Sequence, residues 1–550
     1  MNTATFYGKR SQAVDTVLAL PVDESEDELD VSDDEKQEER PVNGGSDDES
    51  DESDRDAEVR DEDAEEELWK TSLPQATEVK APIDYFRNLL TQEAIENMVT
   101  QSNLYASQCD INKPLNVTFK EIEQFIGIAQ YMAVFNFPRT RLFWSTAARV
   151  DCIANTMSVN RWETIKRYLH FRNNEDQIPA GQPGHDRLFK LRPLLTALKR
   201  ICNAVPMDEM LCVDKQIVPF KGKSKLKQYN PKKLKRWGYK IFILADSNGM
   251  IHNFEVYTGT ITPAEGKPDI GASGNIVLKL CSVIPTNQSF KLFFDNWFCS
   301  IDLQVQLERM KIHSVGTVRS KRLPNCTFTD DKTMKKKGRG TFEEKETKHD
   351  AVYLRAVKWY DNRSVILLST YAAAHPTTLV QRWDKKTQEM VEVVRPNIVS
   401  IYNKSMGGVD ILDSLIALYR TKVRSKKWYH RLFFHMMDMI MVEAWLLYRR
   451  DSIDCGVEKK EQLSLLDFKS EVAGCLCKKD TVCSKRGRPS LSVEAGLDLK
   501  RRRGQVAPVP PAPIRLDRID HWSVYSENMK CDVFLCQTPD RNCFFSFHTQ

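Results

Sequence analysis

The chain is 550 residues long and 41% apolar, enough for a sizeable core spread over two to four domains. Its net charge of +4 hides a division: residues 1–67 hold 26 acidic against 6 basic side chains, and the remaining 483 residues carry a net +24. An acidic tail on a basic body points to a polyanionic partner and away from ordinary small-molecule metabolism. No run of 18 apolar residues occurs, and the greasiest stretch, 432–448, is interrupted by His435, Asp438 and Glu443. It reads as a buried helix, so no membrane span is expected. The start, MNTATFYGKRSQ, has no apolar run leading to a small-residue cleavage site, and secretion is not expected. The 14 scattered cysteines then suggest reduced thiols plus a metal site, not a disulfide scaffold.

Along the chain, residues 23–67 hold 25 acids among 45 positions and almost no large apolar side chains. Such a segment cannot offset its ordering entropy and is expected to be a disordered, solvating tail. Its serines in acidic surroundings, Ser32, Ser46 and Ser50, would also suit an acid-directed kinase. Order is expected from Pro82. Residues 118–121 (TFKE) read as a capping box ahead of Ile122, Phe125, Ile126, Ala129 and Met132 at helical spacing. A second helix over 159–171 places Trp162, Ile165 and Leu169 on one face, with Lys166, Arg167 and His170 elsewhere on its surface. Residues 82–206 therefore read as a helical module.

The pattern then changes. Short apolar or alternating runs at 210–220, 239–245, 253–258 and 290–294 predict strands, with hairpin-turn chemistry in DSNG (246–249). A helix over 300–310 and a strand over 313–318 follow, which indicates an α+β or α/β sheet. Residues 332–350 are polar and charged, 351–371 and 378–394 are strand-rich, and 405–420 and 427–450 are helical. From about 475, Gly, Pro and basic runs mark a linker.

Four carboxylates stand out. Asp214 lies in an alternating strand on the same face as Cys212 and Gln216; Asp295 ends the apolar strand 290–294; Asp410 and Asp413 follow Gly407 and Gly408 at the start of a helix. Two strands and a helix terminus could bring them together on hard divalent cations, two of which, roughly 3.5–4 Å apart, activate an oxygen nucleophile. Aspartates at strand ends and in first helical turns also occur without a metal, and spacing alone leaves both readings open. The basic stretch 221–240 holds nine Lys/Arg and no acid: Lys221, Lys223, Lys225, Lys227, Lys232, Lys233, Lys235, Arg236 and Lys240, interleaved with Tyr229, Trp237 and Tyr239. A second cluster, Arg420, Lys422, Arg424, Lys426 and Lys427, runs into Trp428, Tyr429, His430 and Arg431. Cations for phosphates with aromatics for stacking suggest a nucleic-acid surface. KRGRP (485–489), with Arg486 and Arg488, has the form of a minor-groove hook, and with KRRR (500–503) it also suits a nuclear-import signal. Cys531, Cys536, Cys543 and His548 offer a Cys3His set for Zn²⁺.

At this point the residues resemble the piggyBac-type transposases and their derivatives. The matching stretches are MSVNRWETIKRYLHF (157–171), DRLFKLRPLL (186–195), VDKQIVPFKGKSKLKQYNPKKLKRWGYKIFILAD (213–246), FFDNWFCSIDL (293–303), RPNIVSIYNKSMGGVDILD (395–413) and KKWYHRLFFHMMDM (426–439). The resemblance covers roughly residues 80–475. It implies an α+β multidomain fold with an RNase H-like catalytic core, interrupted by an insertion domain. It also implies a split helical dimerisation and DNA-binding domain and a short cysteine-bearing C-terminal segment. On that scheme the tail is 1–78, the helical domain 79–206 and 421–474, and the core 207–320 and 397–420; the insertion is 321–396, the basic Pro-rich linker 475–518 and the zinc-finger-like segment 519–550.

The implied activity is Mg²⁺-dependent cleavage and strand transfer at transposon ends and TTAA sites, with Mn²⁺ able to substitute. Double-stranded DNA, a second copy of the chain and protein partners of the acidic tail are the implied associates, and the nucleus the implied location. Residue by residue, VDKQ makes Asp214 the first catalytic carboxylate, DNW makes Asp295 the second and GGVD makes Asp410 the third, with Asp413 a fourth. Asp208 competes for the first role, but the Pro-Phe-Lys-Gly context follows Asp214 directly. The alternative is a derivative that keeps the fold and DNA binding but not catalysis. Two departures are visible. Lys215 stands where the family usually has an acid, and strand alternation sends it to the opposite face, so little effect on metal binding is expected. The C-terminal segment keeps only the last part of the family's cysteine pattern, which puts specific reading of transposon ends in doubt.

Overall fold

Thr118 opens its helix as a full capping box: its hydroxyl accepts the Glu121 N–H and the Glu121 carboxylate accepts the Thr118 N–H. This helix, α3 (Phe119–Phe135), follows α1 (Pro82–Leu89) and α2 (Gln92–Cys109) and is followed by α4 (Asp151–Ala154), α5 (Val159–Tyr168) and α6 (Arg192–Cys202). As expected, Trp162 and Ile165 are buried on α5; Leu169 is also buried, just past its end. His170 departs from expectation: it lies beyond the helix, buried and stacked on Tyr105 with ring centroids 4.1 Å apart. The structure, a computed structural model, describes residues 73–229, 236–384 and 387–478, with two short paired strands at Gln537–Thr538 and Arg541–Asn542.

The sheet is built from β1 (Met210–Pro219), β2 (Gln228–Tyr229), β3 (Trp237–Asp246), β4 (Ile251–Val256), β5 (Lys291–Phe294) and β6 (His313–Thr317). Strand β3 pairs antiparallel with β1, β4 and β2, while β1, β5 and β6 run parallel to one another. Helix α7 (Ala272–Leu280) connects β4 to β5 and α8 (Ile301–Arg309) connects β5 to β6, the crossovers that parallel strands require. The expected hairpin turn is present, with Asp246 accepting the backbone N–H groups of Asn248 and Met250. Beyond β6 the chain adds α9 (Asp331–Lys337), then β7 (Phe342–His349), β8 (Val352–Tyr360) and β9 (Ser364–Ser369), which extend the same sheet in the order β6-β9-β8-β7. The polar stretch 332–350 thus holds most of α9 and all of β7. Its charged half-exposed strand β7 ends the sheet, where charge discourages further pairing. A separate hairpin, β10 (Thr377–Asp384) with β11 (Glu389–Pro396), leads into α10 (Asn397–Ser405) and α11 (Gly408–Leu418).

Strand alternation divides the core in two. Leu211, Val213, Phe242 and Leu244 face α7 and α8, while Cys212, Val218, Ile241 and Ile243 face the helical side. There the 27-residue α12 (Trp428–Asp454) runs through the centre, buried all round from Leu432 to Leu446. Its three polar interruptions each have a purpose: His435 bonds Gln216 of β1, Asp438 accepts from Thr421, and Glu443 accepts the Ile251 N–H of β4. No helix among the described residues is long and apolar enough to cross a membrane. Helix α13 (Leu465–Cys477) closes the helical layer on α3, where Gly127 allows close packing: a Cβ there would lie 2.8 Å from Cys477 Sγ.

Candidate active site and nucleic-acid interface

The parallel register of β1 and β5 sets Val213 opposite Phe294, so Asp214, still paired with β3 inside β1, and Asp295, the first residue past β5, come side by side. Asp295 is fixed by its own turn, its Oδ1 accepting the Trp297 N–H at 2.7 Å. Lys215 does not stay on the opposite face. Its ammonium donates to Asp295 Oδ2 at 2.8 Å and to Asp214 Oδ1 at 3.3 Å. The expectation that Lys215 leaves the carboxylates alone is therefore corrected. Alternation fixes where Cβ points, but a flexible four-carbon stem can bring its charge round to a carboxylate just past the end of the neighbouring strand. Burial foremost pushes the Asp214 carboxyl up to about 6; Lys215 opposes that shift, and the charges of Asp295 and Asp410 add to it.

Asp410 and Asp413 sit on α11 beside β1. Asp410 is exposed, near enough to bear on Asp214, whereas Asp413 turns to the strand and accepts Gln216 Nε2 at 2.7 Å. The amide oxygen of Gln216 in turn faces His435 Nε2 at 2.6 Å. Burial, with Arg420 and Arg431 nearby, drives the His435 pKa far down, so the neutral ring donates from Nε2 and the chain runs His435 to Gln216 to Asp413. Strand alternation places Gln216 on the Asp214 face; nothing local points to His435 as its partner, because the two are 219 residues apart. Tyr402 of α10 likewise carries no signal in the sequence. Its hydroxyl reaches the Phe294 carbonyl at 3.4 Å, and burial with the nearby charges of Asp295 and Asp214 holds it protonated.

The basic segments form two surfaces. Lys221, Lys223, Lys225 and Arg236 are exposed, and Lys227 lies 4.6 Å over the Trp237 ring, itself paired with Tyr229 and 46% exposed. Between α11 and α12 the chain is extended and alternates: Lys422, Arg424 and Lys426 point outward while Thr421 and Val423 are buried. Thr421 donates both its N–H and its hydroxyl to Asp438, which Lys469 also approaches. Arg420 departs from the surface role, being largely buried 4.0 Å from Asp413. Lys427 lies over the Tyr105 and Tyr429 rings and donates to the Arg167 carbonyl; burial lowers its pKa to about 8. Where the two surfaces meet is a cavity of about 390 Å³ whose lining includes Lys190, Lys225, Arg187, His185, Ser224 and Trp428, and none of whose lining residues is acidic.

Residues 81–445 match the family model described as Transposase IS4. The human PiggyBac transposable element-derived protein 3 is 32% identical over 378 residues, 68% of this chain and 62% of that protein. The human PiggyBac transposable element-derived protein 2 is 28% identical over 471 residues, 84% of this chain and 74% of that one. This chain belongs to the piggyBac-type transposase family. A solved piggyBac transposase, in a synaptic complex with hairpin DNA, shares the mixed α+β fold with a TM-score of 0.59 at 21% identity, over 79% of this chain and 92% of that one. The chain spans less than two thirds of the length of the first of these relatives.

Within the piggyBac scheme the carboxylates would hold Mg²⁺, and their oxygen chemistry suits it. The arrangement does not. The Lys215 ammonium is bonded to both strand carboxylates, the second oxygen of Asp295 is taken by the Trp297 N–H, and Asp413 is turned to Gln216. Among the described residues no three His, Cys, Asp or Glu side chains are grouped to hold a metal ion. Lys232, Lys233, Lys235, Arg486 and Arg488, and the side chains of Cys531, Cys536, Cys543 and His548, lie outside the described residues, as does the acidic stretch 23–67.

Proposed function

We propose that this chain is a nuclear DNA-binding protein built on a piggyBac-type transposase fold, in which DNA binding does not depend on strand cleavage. The observation that carries the reading is the acid-free cavity between Lys190, Lys225, Arg187 and Trp428, together with the outward Lys422, Arg424 and Lys426 on the chain that leads into Trp428. Clustered cations beside the half-buried Trp428 ring suit a phosphate backbone with a base to stack. The strand order β4-β3-β1-β5-β6, antiparallel then parallel, supports an RNase H-like core, with β7–β11 as the insertion and the helices around α12 as the DNA-binding layer. The runs at 485–489 and 500–503 support nuclear import. Anisotropy titrations of duplex DNA over a salt series test the reading. Affinity should fall steeply and log-linearly with salt, and Lys190→Gln with Lys225→Gln should weaken it several-fold; a flat salt response sinks it.

A second reading, an active transposase, is favoured by the convergence of Asp214, Asp295 and Asp410. It requires divalent-metal-dependent nicking of TTAA-flanked DNA that disappears in Asp295→Asn. Binding without nicking leaves the first reading standing.

A further inference from the structure

Asp214 within β1 and Asp295 just past the end of the adjacent parallel β5 stand side by side, with side chains only 16% and 28% exposed, and as two anions they repel one another unless a cation stands between them. Here the chain supplies that cation. Lys215 Nζ reaches both carboxylates and its side chain is 22% exposed; it directly follows Asp214, so the ion pair forms as soon as β1 pairs with β5. The other lysine at this end of the sheet is held elsewhere: Lys240 lies over the rings of Phe242, Tyr257 and Trp297 at 5.4–5.5 Å. A dication entering between Asp214 and Asp295 would have to displace an ammonium already bonded to both and leave it beside the like charge of Lys240.

We infer that Lys215 is an internal counter-cation that takes the dication's place between Asp214 and Asp295, making the folded site independent of divalent metal. This holds whether or not the chain binds DNA. An acid or a neutral residue at 215 would leave the two aspartates to recruit a metal. Lys215 is therefore the position that switches this site from self-neutralised to metal-dependent.

The test is the unfolding temperature of the full chain in EDTA, in Mg²⁺ and in Mn²⁺. Wild type should show the same Tm in all three. Lys215→Met, which keeps the apolar stem, should lose several degrees in EDTA and recover them with Mn²⁺; Lys215→Glu should show a larger recovery. Adding Asp295→Asn to Lys215→Met should abolish the recovery, and if Mn²⁺ still stabilises that double variant the ion is bound elsewhere and the inference fails. It also fails if wild type gains as much from Mn²⁺ as Lys215→Met does. Should Lys215→Met not fold, wild-type titration with Mn²⁺ followed by its paramagnetic relaxation of water protons decides: saturable binding that disappears in Asp295→Asn overturns the inference, and no such binding supports it. DNA affinity measured in EDTA separates this outcome from the DNA-binding reading, which it leaves untouched.

Discussion

Gly408 lies so close to the backbone of Asp246 that a Cβ on it would stand 1.9 Å from the Asp246 carbonyl oxygen and 2.8 Å from Cys212 Sγ. The first turn of α11 can therefore press against the end of β3 and the middle of β1, which brings Asp410 beside Asp214. Gly249, at φ +93° in the β3–β4 turn, completes the close approach from the other side, next to the Gly408 carbonyl. The double glycine of GGVD is thus asymmetric in purpose. Gly407 has nothing within 4 Å of where its Cβ would be.

Gly408→Ala should destabilise the fold by about 1–3 kcal/mol or more, because the clash is with backbone that no rotamer change can move. Gly407→Ala, in open space at φ −76°, should be neutral or stabilise by up to about 1 kcal/mol through the unfolded chain. Urea unfolding of the pair separates the two; equal effects would show that the close approach does not set the position of α11.

The His430 imidazole is buried against Ser425, and burial, then the charge of Lys427, pushes its pKa down to about 3. An unfolded histidine titrates near 6.5. Between those values the unfolded chain binds a proton that the folded chain refuses, so this contribution is complete above pH 6.5 and is lost as pH falls toward 3. The slope is at most about 1.4 kcal/mol per pH unit. His430→Gln removes it. Comparing urea unfolding at pH 7 and pH 5, wild type should lose about 2 kcal/mol more than the variant. Buried His252 and His435, and the raised Asp246, stay in both proteins and cancel in the comparison.

Much of the fold is legible in the sequence because local rules are obeyed: the Thr118 capping box, the Asp246–Gly249 turn, and the face shared by Asp214 and Gln216. The interrupted greasy run is a buried helix, as its pattern predicts. What its three polar residues do is not legible, since Gln216, Thr421 and Ile251 reach them from 17 to 219 residues away. Lys215 shows a different limit. Its backbone direction follows the alternation, but its charge sits at the end of a flexible stem that the alternation does not constrain, and only the register of β1 on β5 reveals where it lands. Arg420 and His170 read as surface residues because basic and polar side chains usually are; tertiary packing puts both inside.

Glu443 is buried in α12 and accepts the Ile251 N–H at 2.8 Å, and burial drives its carboxyl pKa far above the usual range, which favours the neutral acid. Glu443→Gln keeps the shape and the acceptor and should change stability by less than about 1 kcal/mol. Glu443→Ala leaves the Ile251 N–H unpaired and opens a void beside Met439 and Phe254, at a cost of about 2–4 kcal/mol. A Gln variant as damaged as the Ala variant would mean that the group is ionised in the fold.

The segment between α11 and α12 gives the last prediction, because its anchoring and its charge are on alternate residues. Thr421 and Val423 are buried and Asp438 holds the Thr421 backbone and hydroxyl, so Lys422, Arg424 and Lys426 project from a fixed ribbon. Replacing these three with Gln should leave the unfolding temperature unchanged, since none of them packs inward. Every phosphate that these side chains no longer neutralise should make the salt dependence of DNA affinity shallower by about 0.9 in the log–log slope, and the weakening should be the same for any duplex sequence. Thr421→Ala should behave differently. It strips a buried hydrogen bond from Asp438, lowers stability by about 1–3 kcal/mol, and weakens DNA binding only through the loosened ribbon. A triple variant with an unchanged salt slope would take this ribbon off the DNA surface and leave the cavity at Lys190 and Lys225 as the binding site.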